Sequence, residues 1–556
     1  MILDLTNLTV DQLKLLNSIP KEIHIEFNKL TEEILNSSRK KTGALVSNIV
    51  SRHPYQSGLF DLCINLAFVD YYISKKDYNK IIVNDSDLFY LVKTKYPNIN
   101  IKLINKTKKQ NIVCKQFKGL MGLLFKTIIQ ILSKSRKRKE RIIKTQLILL
   151  DTFMLEGSKR EEKYINRYYT DISNFISKED FKKIYFVPEI LFYYSRKKLQ
   201  NIINNSNENI LIKHDFLKPL DYIKTLFNLY QTKFNITDDL KFKEFNISKV
   251  IKKQIKKEKY NSSAFIGLLN YFFIKRLKQE KIKVSCFIDW NENQPIDKGL
   301  IRGIHDFYQN ICVKGYRAFL ISYDYNLYLI PTKNEQNNGV IPDIILLTGK
   351  SMIKDFYQYM KQVQLNIAPA FRFNHLYSQT QKKKRKYILI VLPIGFNDSV
   401  SIIKRLLKIE NKLLEENQYL IRKHPGLNEQ KLLEKVSSNW NKNFVWAQGS
   451  FYENLSESKL FISNTSSAIM EALAFGVPGI ILGAENGITQ NPIPEGVNKE
   501  MWRIAYSINE LSNSIIHFLE KTIKEEKRLK EIGDKIKENY FEPVTERGVR
   551  NFLNLN

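Results

Sequence analysis

The chain has 556 residues, of which 43% are apolar and 12% aromatic, a composition that excludes a disordered protein and predicts roughly two to four packed domains. Its 88 basic and 57 acidic residues give a formal charge of +31, which favours an acidic partner such as a phosphorylated substrate, an anionic membrane or nucleic acid. The same charge has a plainer explanation as well, because the whole chain is rich in Lys, Ile and Asn.

Cysteine spacing and hydropathy narrow the class of protein further. Four cysteines lie far apart without a CxxC pair, and no His-x-x-x-His spacing occurs, so we expect neither a disulfide framework nor a zinc site. The first residues, MILDLTNLTVDQLK, lack the regions of a signal peptide, and no stretch reaches the roughly 18 uninterrupted apolar residues of a membrane span. These features predict a cytoplasmic protein that is soluble or peripheral to a membrane.

Residues 1–375 are predicted to form one large α/β lobe with helical insertions. Short apolar runs bounded by turn residues are its candidate strands: KIIVND (80–85), TQLILLDTFML (145–155), KIYFVPE (183–189), NILIKHDF (209–216), VSCFIDW (284–290), RAFLISY (317–323) and DIILLTG (343–349). Helical stretches between several of these runs indicate a parallel sheet. The sequence leaves open a further division near residue 145.

One insertion in this lobe, residues 106–144, combines a strongly apolar helix with a basic run. Its apolar stripe consists of Phe117, Leu120, Leu124, Ile128 and either Ile131 or Leu132, and thirteen basic residues accompany a single acidic one. A helix of this kind can lie on an anionic membrane surface. The alternative is a core helix followed by a solvated charge run. Nucleic acid is not expected as a partner, because no aromatic residues interleave with the basic cluster.

A polar, basic linker at 376–386 precedes a second lobe, residues 387–540, and a tail, 541–556. In the second lobe short apolar strands alternate regularly with helices, which predicts a parallel, doubly wound sheet. Its candidate strands are YILIVL (387–392), QYLIRKHP (418–425), FVWAQ (444–448), KLFISN (459–464), GIILG (479–483) and MWRIAYS (501–507). Helices are predicted near 399–416, 428–436 and, as one long charged helix, 508–540.

A cluster of hydroxyl side chains follows the strand KLFI of this lobe. Ser463, Thr465, Ser466 and Ser467 therefore lie at the carboxyl edge of the sheet, where ligands bind in open α/β folds. Helix capping explains one such hydroxyl. Several hydroxyls at a helix N-terminus instead favour an anion site, and Glu471 follows one helical turn on, within reach of a sugar hydroxyl.

A His-Pro motif ends another strand of the same sheet. In IRKHPG, Arg422 and Lys423 precede His424, and the proline blocks continuation of the strand. A histidine that donates to a phosphate beside two cations can stabilise a leaving group. A structural histidine in a proline turn is the alternative.

These two motifs carry a resemblance to a known class of enzyme. The run SNTSS followed by EALAFGVPGI resembles the nucleotide-binding half of GT-B glycosyltransferases, over about a third of the chain. The HP motif paired with a downstream Ser-Ser turn is similar to bacterial sialyltransferases, polysialyltransferases and capsular Kdo transferases. The stretches FIDWNENQPIDKGLIRGIH and IAPAFRF also resemble a group of surface-carbohydrate biosynthesis proteins known from Leptospira. The resemblance implies that His424, Ser466 and Ser467 contact the phosphate of a CMP-linked donor.

An acceptor hydroxyl also needs a base to take its proton. The turn after VSCFIDW contains Glu292, our first candidate, with Asp289 and Asp297 behind it. The related sialyltransferases carry a D/E-D/E-G motif in this role, which is not found in this turn. The alternative is that these carboxylates cap a helix that starts near Pro295. In IAPAFRF, at the domain junction, Arg372 is a candidate to close on an anionic donor.

Together these features predict a two-lobed GT-B glycosyltransferase of bacterial surface-polysaccharide or lipopolysaccharide synthesis, peripheral at the inner face of the cell membrane. The donor is expected to be a CMP-linked ulosonic acid, Kdo or a sialic-acid-like sugar, and the acceptor a glycan or lipid-linked glycan. No metal and no cofactor other than this donor is expected. A UDP- or GDP-sugar or CDP-glycerol donor remains an alternative within enzymes. A polyanion- or nucleic-acid-binding protein is the alternative of another class.

Overall fold

The computed structural model describes residues 1–38, 41–54, 56–75, 78–104, 112–140, 142, 146–154, 159–160, 163–190, 195–322, 325–357, 363–378, 385–436 and 440–555. Two six-stranded sheets dominate the molecule, one in each predicted lobe. In both sheets every pairing between neighbouring strands is parallel. The predicted α/β class with two Rossmann-like lobes, the arrangement expected of GT-B, is thereby confirmed.

The strands of the N-terminal lobe form two parallel sheets and two short hairpins. In chain order they are β1 (Ile2–Asp4), β2 (Lys80–Val83), β3 (Asn100–Leu103), β4 (Leu147–Met154), β5 (Lys159–Arg160), β6 (Lys163–Tyr164), β7 (Ile184–Ile190), β8 (Lys241–Phe242), β9 (Phe245–Asn246), β10 (Val284–Trp290), β11 (Val313–Arg317), β12 (Ile344–Leu347) and β13 (Gln364–Ile367). The small sheet has the order β1-β2-β3, and the large sheet has the order β13-β12-β11-β10-β4-β7.

Sixteen α-helices of the described residues accompany these strands. They are α1 (Val10–Asn36), α2 (Lys41–Leu45), α3 (Asn48–Ser51), α4 (Leu59–Lys75), α5 (Ser86–Lys95), α6 (Ile112–Leu132), α7 (Arg136–Glu140), α8 (Lys178–Phe181), α9 (Arg196–Asn204), α10 (Pro219–Gln231), α11 (Ser248–Glu258), α12 (Ser262–Gln279), α13 (Pro295–Phe307), α14 (Lys333–Asn337), α15 (Lys350–Tyr357) and α16 (His375–Ser378).

The C-terminal lobe alternates strand and helix with the order β16-β15-β14-β17-β18-β19. Its strands are β14 (Tyr387–Val391), β15 (Gln418–Arg422), β16 (Phe444–Trp446), β17 (Ser458–Ser463), β18 (Gly479–Leu482) and β19 (Trp502–Ala505). Its helices are α17 (Phe396–Leu406), α18 (Asn411–Glu416), α19 (Glu429–Val436), α20 (Phe451–Ser456), α21 (Ala468–Ala474), α22 (Ile508–Leu519), α23 (Ile523–Tyr540) and α24 (Glu546–Leu553).

The large sheet of the N-terminal lobe is buried on both faces, because successive side chains of a strand point to opposite sides. Leu147 and Leu149 of β4 join a core with α12 and α13. Ile148 and Leu150 join an aromatic core on the opposite face, which includes Phe552 of α24. The predicted tail therefore carries a helix that returns to the N-terminal lobe.

Several predictions for individual elements are wrong. The run 209–216 forms only one isolated bridge, at Ile210. In RAFLISY, predicted at 317–323, Arg317 ends β11 and residues 318–322 form no strand, while residue 323 lies outside the described residues. The long helix predicted over 508–540 is two helices, α22 and α23, because Thr522 and Glu525 form a capping box that starts the second. The helix predicted over 399–416 is likewise divided, into α17 and α18.

The regions proposed for membrane contact and for the linker fall partly outside the described residues. Within the insertion predicted at 106–144, residues 106–111, 141 and 143–144 are not described, and α6 confirms the helix. In the linker, residues 379–384 are not described. Among the described helices, none is both long and apolar enough to cross a bilayer.

Candidate functional site

The serine turn, residues 463–467, connects β17 to α21 at the carboxyl edge of the C-terminal sheet. Ser463 is buried and donates its hydroxyl to Val391 O at 2.7 Å, so this side chain ties β17 to β14 instead of facing a crevice. The hydroxyl of Thr465 lies 3.3 Å from Asn464 Oδ1, and Ser466 Oγ accepts weakly from Ala468 N at 3.4 Å. Ser467 is exposed and is the N-cap of α21 without a side-chain capping bond.

The His-Pro turn, residues 422–426, lies at the same edge after β15. Gly426 N donates to His424 Nδ1 at 3.0 Å, so Nδ1 is the acceptor nitrogen and Nε2 carries the proton of the neutral ring. Burial lowers the pKa of His424, and the charge of Arg167 lowers it further, which favours this neutral form. His424 is exposed, so its ring remains accessible to a ligand at this edge.

The two cations beside this histidine are held by local partners. Arg422 donates through Nη1 to Gly449 O at 3.1 Å and to Asn454 Oδ1 at 2.6 Å. Lys423 forms an ion pair with Glu429. Arg422, whose partners are neutral, therefore adds positive field at this edge from a fixed position, whereas Glu429 balances the charge of Lys423.

Glu471 of α21 lies where the two lobes meet. Its Oε2 accepts a hydrogen bond from the Tyr452 hydroxyl and lies 3.2 Å from His375 Nε2. The rings of His375 and Tyr452 have centroids 3.8 Å apart. Burial, together with the charge and hydrogen bond of Glu471, raises the pKa of Tyr452, which stays a neutral donor.

The acidic turn, residues 289–297, connects β10 to α13 at the carboxyl edge of the N-terminal sheet. Glu292 is half-buried and accepts from Trp290 Nε1 at 3.0 Å and from Gln294 Nε2 at 2.5 Å. Burial raises the pKa of Glu292, against these two hydrogen bonds and the charge of Arg372. Asp297 Oδ2 accepts from the backbone N of Glu292 and Gln294 at 2.9 and 3.0 Å, so the capping alternative is confirmed for this residue.

Asp289 and Asp297 are buried and form a cluster with a residue that the sequence did not indicate, Asp151 of β4. One carboxylate oxygen from each lies within 4.8 Å of the others. Burial raises the pKa of all three carboxyls, and repulsion within the cluster adds to this for Asp151 and Asp297. Such a cluster can exist as protonated acids or around a hard cation.

Arg372 connects the two sides of the cleft. Its guanidinium lies 5.8 Å from the Trp290 ring centroid and 6.0 Å from that of Tyr168, and its charge lowers the pKa of both Glu292 and Tyr452 against the effect of burial. The acidic turn and Tyr452 of the C-terminal lobe therefore both lie within the influence of the Arg372 charge. Arg167, Tyr168, His375 and Tyr452 were not predicted, because no local motif marks them.

Comparison with known proteins adds structural neighbours only. No family model matches the chain, and no curated protein sequence matches it. The N-terminal domain of Candida albicans trehalose-6-phosphate phosphatase is 11% identical, with a TM-score of 0.40, over 74% of this chain and 96% of that one. S. aureus MnaA, solved with UDP, is 13% identical, with a TM-score of 0.42 and coverages of 74% and 98%. A UDP-forming α,α-trehalose-phosphate synthase from Burkholderia vietnamiensis is 9% identical, with a TM-score of 0.42 and the same coverages.

Proposed function

We propose that this protein is a GT-B glycosyltransferase that transfers a sugar from a nucleotide donor in the interlobe cleft. The observation that carries the proposal is that a half-buried carboxylate, Glu292, and a histidine with a fixed tautomer, His424, each follow a strand at the carboxyl edge of one of the two parallel sheets. Arg372 lies beside Trp290 of the acidic turn, and a negatively charged donor bound there would offset the desolvation free energy of its guanidinium.

The C-terminal side of the cleft would bind the donor phosphate. His424 would donate through Nε2, and the hydroxyls of Ser466 and Ser467 would supply further bonds. Arg422 contributes positive field without direct contact, which stabilises charge that develops on the leaving phosphate, whereas the charge of Lys423 is balanced by Glu429. We leave Ser463 out of this site because its hydroxyl is used within the sheet. The proposal needs no metal at the leaving group.

The N-terminal side would activate the acceptor. Glu292 would take the proton of the acceptor hydroxyl, and its raised pKa brings it closer to the value that an efficient base needs. Asp297 would act indirectly, by holding the backbone of Glu292, and Asp289 would lie behind it. Glu471 would orient the side chains of Tyr452 and His375. Alternatively, it would accept a hydrogen bond from a sugar hydroxyl of the nucleotide.

The donor that we favour is CMP-linked, a Kdo or a sialic-acid-like ulosonic acid, and the product a bacterial surface glycan. This choice depends on the paired His-Pro and serine turns. A UDP- or GDP-sugar, or CDP-glycerol, presents its phosphates to the same groups, so these donors remain the alternative within the class.

A thermal-shift screen against CMP, CDP, UDP, UMP, GDP and ADP tests the proposal. A ligand that binds only the folded protein stabilises it by about 2.7 kcal/mol at one hundred times its dissociation constant. We expect a shift with CMP that His424→Ala reduces, because one hydrogen bond to a charged phosphate contributes about 1.5–3 kcal/mol. His517→Ala, outside the cleft on α22, is the matched control. A shift with UDP or GDP alone would indicate a UDP- or GDP-sugar donor in place of the CMP-linked one. If none of the nucleotides shifts the melting temperature, the proposal is contradicted.

A further inference from the structure

Helix α10 is amphipathic in the opposite sense to an ordinary surface helix. Its side toward the protein contains Asp221 and Thr225 together with Leu229. Its exposed side is apolar and consists of Leu220, Ile223, Leu226, Phe227 and Tyr230. A soluble surface helix normally turns its apolar stripe to the core, so this exposed face indicates a second, apolar environment.

Helix α6 repeats this inversion. Thr127 and Gln130 are buried beside Leu120. Five large apolar residues, each about half exposed, follow one another along the outer face: Phe117, Met121, Phe125, Ile128 and Leu132. The apolar stripe predicted for this helix therefore does not lie on one face. Leu120 is in the core, whereas Phe117, Ile128 and Leu132 are on the surface.

The two helices both contact α12 and run in opposite directions, with their ends close together. At one end, Phe117 contacts the Tyr260 ring with centroids 5.8 Å apart, and Lys259 lies 4.4 Å from the centroid of Tyr230. At the other end, Lys134 donates to Leu217 O at 3.2 Å. The start of α6 is thus next to the end of α10, and the end of α6 is next to the start of α10. We call the exposed sides of the two helices together the α6–α10 face.

The charge of the α6–α10 face is positive. Helix α6 contains no acidic residue, and the single acid of α10, Asp221, is buried and bound by Arg276 through two hydrogen bonds of 2.8 and 2.7 Å. Exposed lysines flank the apolar residues: Lys118, Lys134, Lys218 and Lys224.

A basic cleft of about 1010 Å³ lies at the end of this face. Its lining includes Lys134 and Lys218 from the two helix ends, with Lys281 and Lys283 from the segment before β10. Some of the nearby basic run is used internally, since Arg138 pairs with Asp215 and Lys139 pairs with Glu280. The remaining lysines leave the cleft suited to anionic headgroups.

We propose that the α6–α10 face binds the surface of an anionic lipid bilayer. Its apolar residues would enter the boundary between headgroups and acyl chains, and its lysines would lie on the negative headgroups. A second copy of the chain fits less well, because self-association would bring the same lysines together. The proposal is independent of the glycosyltransferase assignment, since it concerns a surface of the N-terminal lobe that contains no residue of the interlobe site.

Flotation of the full chain with lipid vesicles tests this proposal. We expect binding to vesicles of phosphatidylcholine with phosphatidylglycerol, little binding to phosphatidylcholine alone, and release by salt. The double variant Ile128→Ser with Ile223→Ser should weaken binding on the order of tenfold, because apolar burial drives insertion. Lys224→Glu should weaken it by more than about fivefold, the effect of one basic residue near the surface.

Matched variants outside the α6–α10 face serve as controls. Ile523→Ser replaces a residue that is 87% exposed at the start of α23, and Lys412→Glu reverses an exposed charge on α18; both should bind as the unchanged protein does. Should the double variant fail to fold, Lys224→Glu alone carries the test. The proposal would be overturned if the protein bound no vesicles or bound neutral and anionic vesicles equally. It would also be overturned if the control variants lost as much vesicle binding as the variants on the α6–α10 face. A protein that binds no vesicles and instead forms a dimer, which Ile223→Ser dissociates, would likewise contradict the proposal.

Discussion

Glu335 is a buried carboxylate shared by two cations, and its replacement should be one of the most costly single changes in the N-terminal lobe. It accepts from Arg52 Nη2 at 2.8 Å and from Lys298 Nζ at 2.7 Å. It also closes a capping box by accepting from Thr332 N at 2.8 Å. Because Lys298 belongs to α13, this network holds the helix that follows the acidic turn.

The expected magnitude follows from the titration of this group. Burial alone would raise the pKa of Glu335, but the charges of Arg52 and Lys298 outweigh it and hold the pKa at about 2, against an ordinary value of 4.5. This difference corresponds to about 3 kcal/mol of stability at neutral pH. The folded pKa is the lower one, so the contribution is fully present above pH 4.5 and is lost as the pH falls toward 2. By pH 3 less than about half should remain.

The assay is urea unfolding of the full chain at pH 7 and pH 3. Glu335→Gln should lower the free energy of unfolding by about 3 kcal/mol at pH 7, since it leaves two buried cations without a counter-charge, and by less at pH 3. Glu453→Gln is the matched control, because Glu453 has the same capping-box position in α20 but is exposed. An equal loss for both variants, or a loss for Glu335→Gln that does not shrink at pH 3, would refute the reasoning.

Three further predictions concern the acidic turn and its support. A Cβ at Gly299 would overlap the carbonyl of Gly267, so Gly299→Ala should cost several kcal/mol in thermal unfolding, whereas Gly122→Ala on α6, with open space around it, should be neutral or stabilising by up to about 1 kcal/mol. Glu292→Gln should abolish sugar transfer but leave the nucleotide-induced thermal shift unchanged. If this variant keeps full transferase activity, Glu292 is not the base. Asp289→Asn should raise the melting temperature at pH 8 but not near pH 4, because the raised pKa of Asp289 costs stability as the pH rises above 3.8; destabilisation at pH 8 would instead indicate a bound cation.

The C-terminal lobe could be predicted strand by strand, and the N-terminal lobe only in part. All six C-terminal strands were found because each is a short apolar run bounded by polar turns. In the N-terminal lobe β1, β3 and β13 were missed, since they have three or four residues and are only partly buried, and β11 was missed because its run VKGYR contains Lys314 and Arg317. The run 209–216 imitates a strand, but Lys213 and Asp215 are buried by ion pairs with Glu189 and Arg138 that no local pattern shows.

The candidate site divides in the same way between local and long-range information. The His-Pro and serine turns were visible because each is a short motif after a strand. Asp297 was predicted as a second candidate base, and its capping role, which follows from its position after a proline, was only the alternative. Tyr452 and His375 were not visible, because their roles arise from contacts with Glu471, which is distant from both in the sequence. Asp151 joins the acidic cluster through the pairing of β4 with β10, which the chain order does not reveal.

The two sides of the cleft differ in how firmly they are held. The acidic turn is fixed by Asp297, which binds two of its backbone groups, by the close approach of α13 to α12 at Gly299, and by the Lys298–Glu335 ion pair. The His-Pro turn is exposed, and two hydrogen bonds cross it, from Gly426 N to His424 Nδ1 and from Leu427 N to His424 O. A preorganised group loses little freedom when substrate binds, whereas an exposed turn must be ordered at the expense of binding free energy. In the proposed reaction the base would therefore already be in place to deprotonate the acceptor. The free energy needed to order the His-Pro turn would come from binding of the donor.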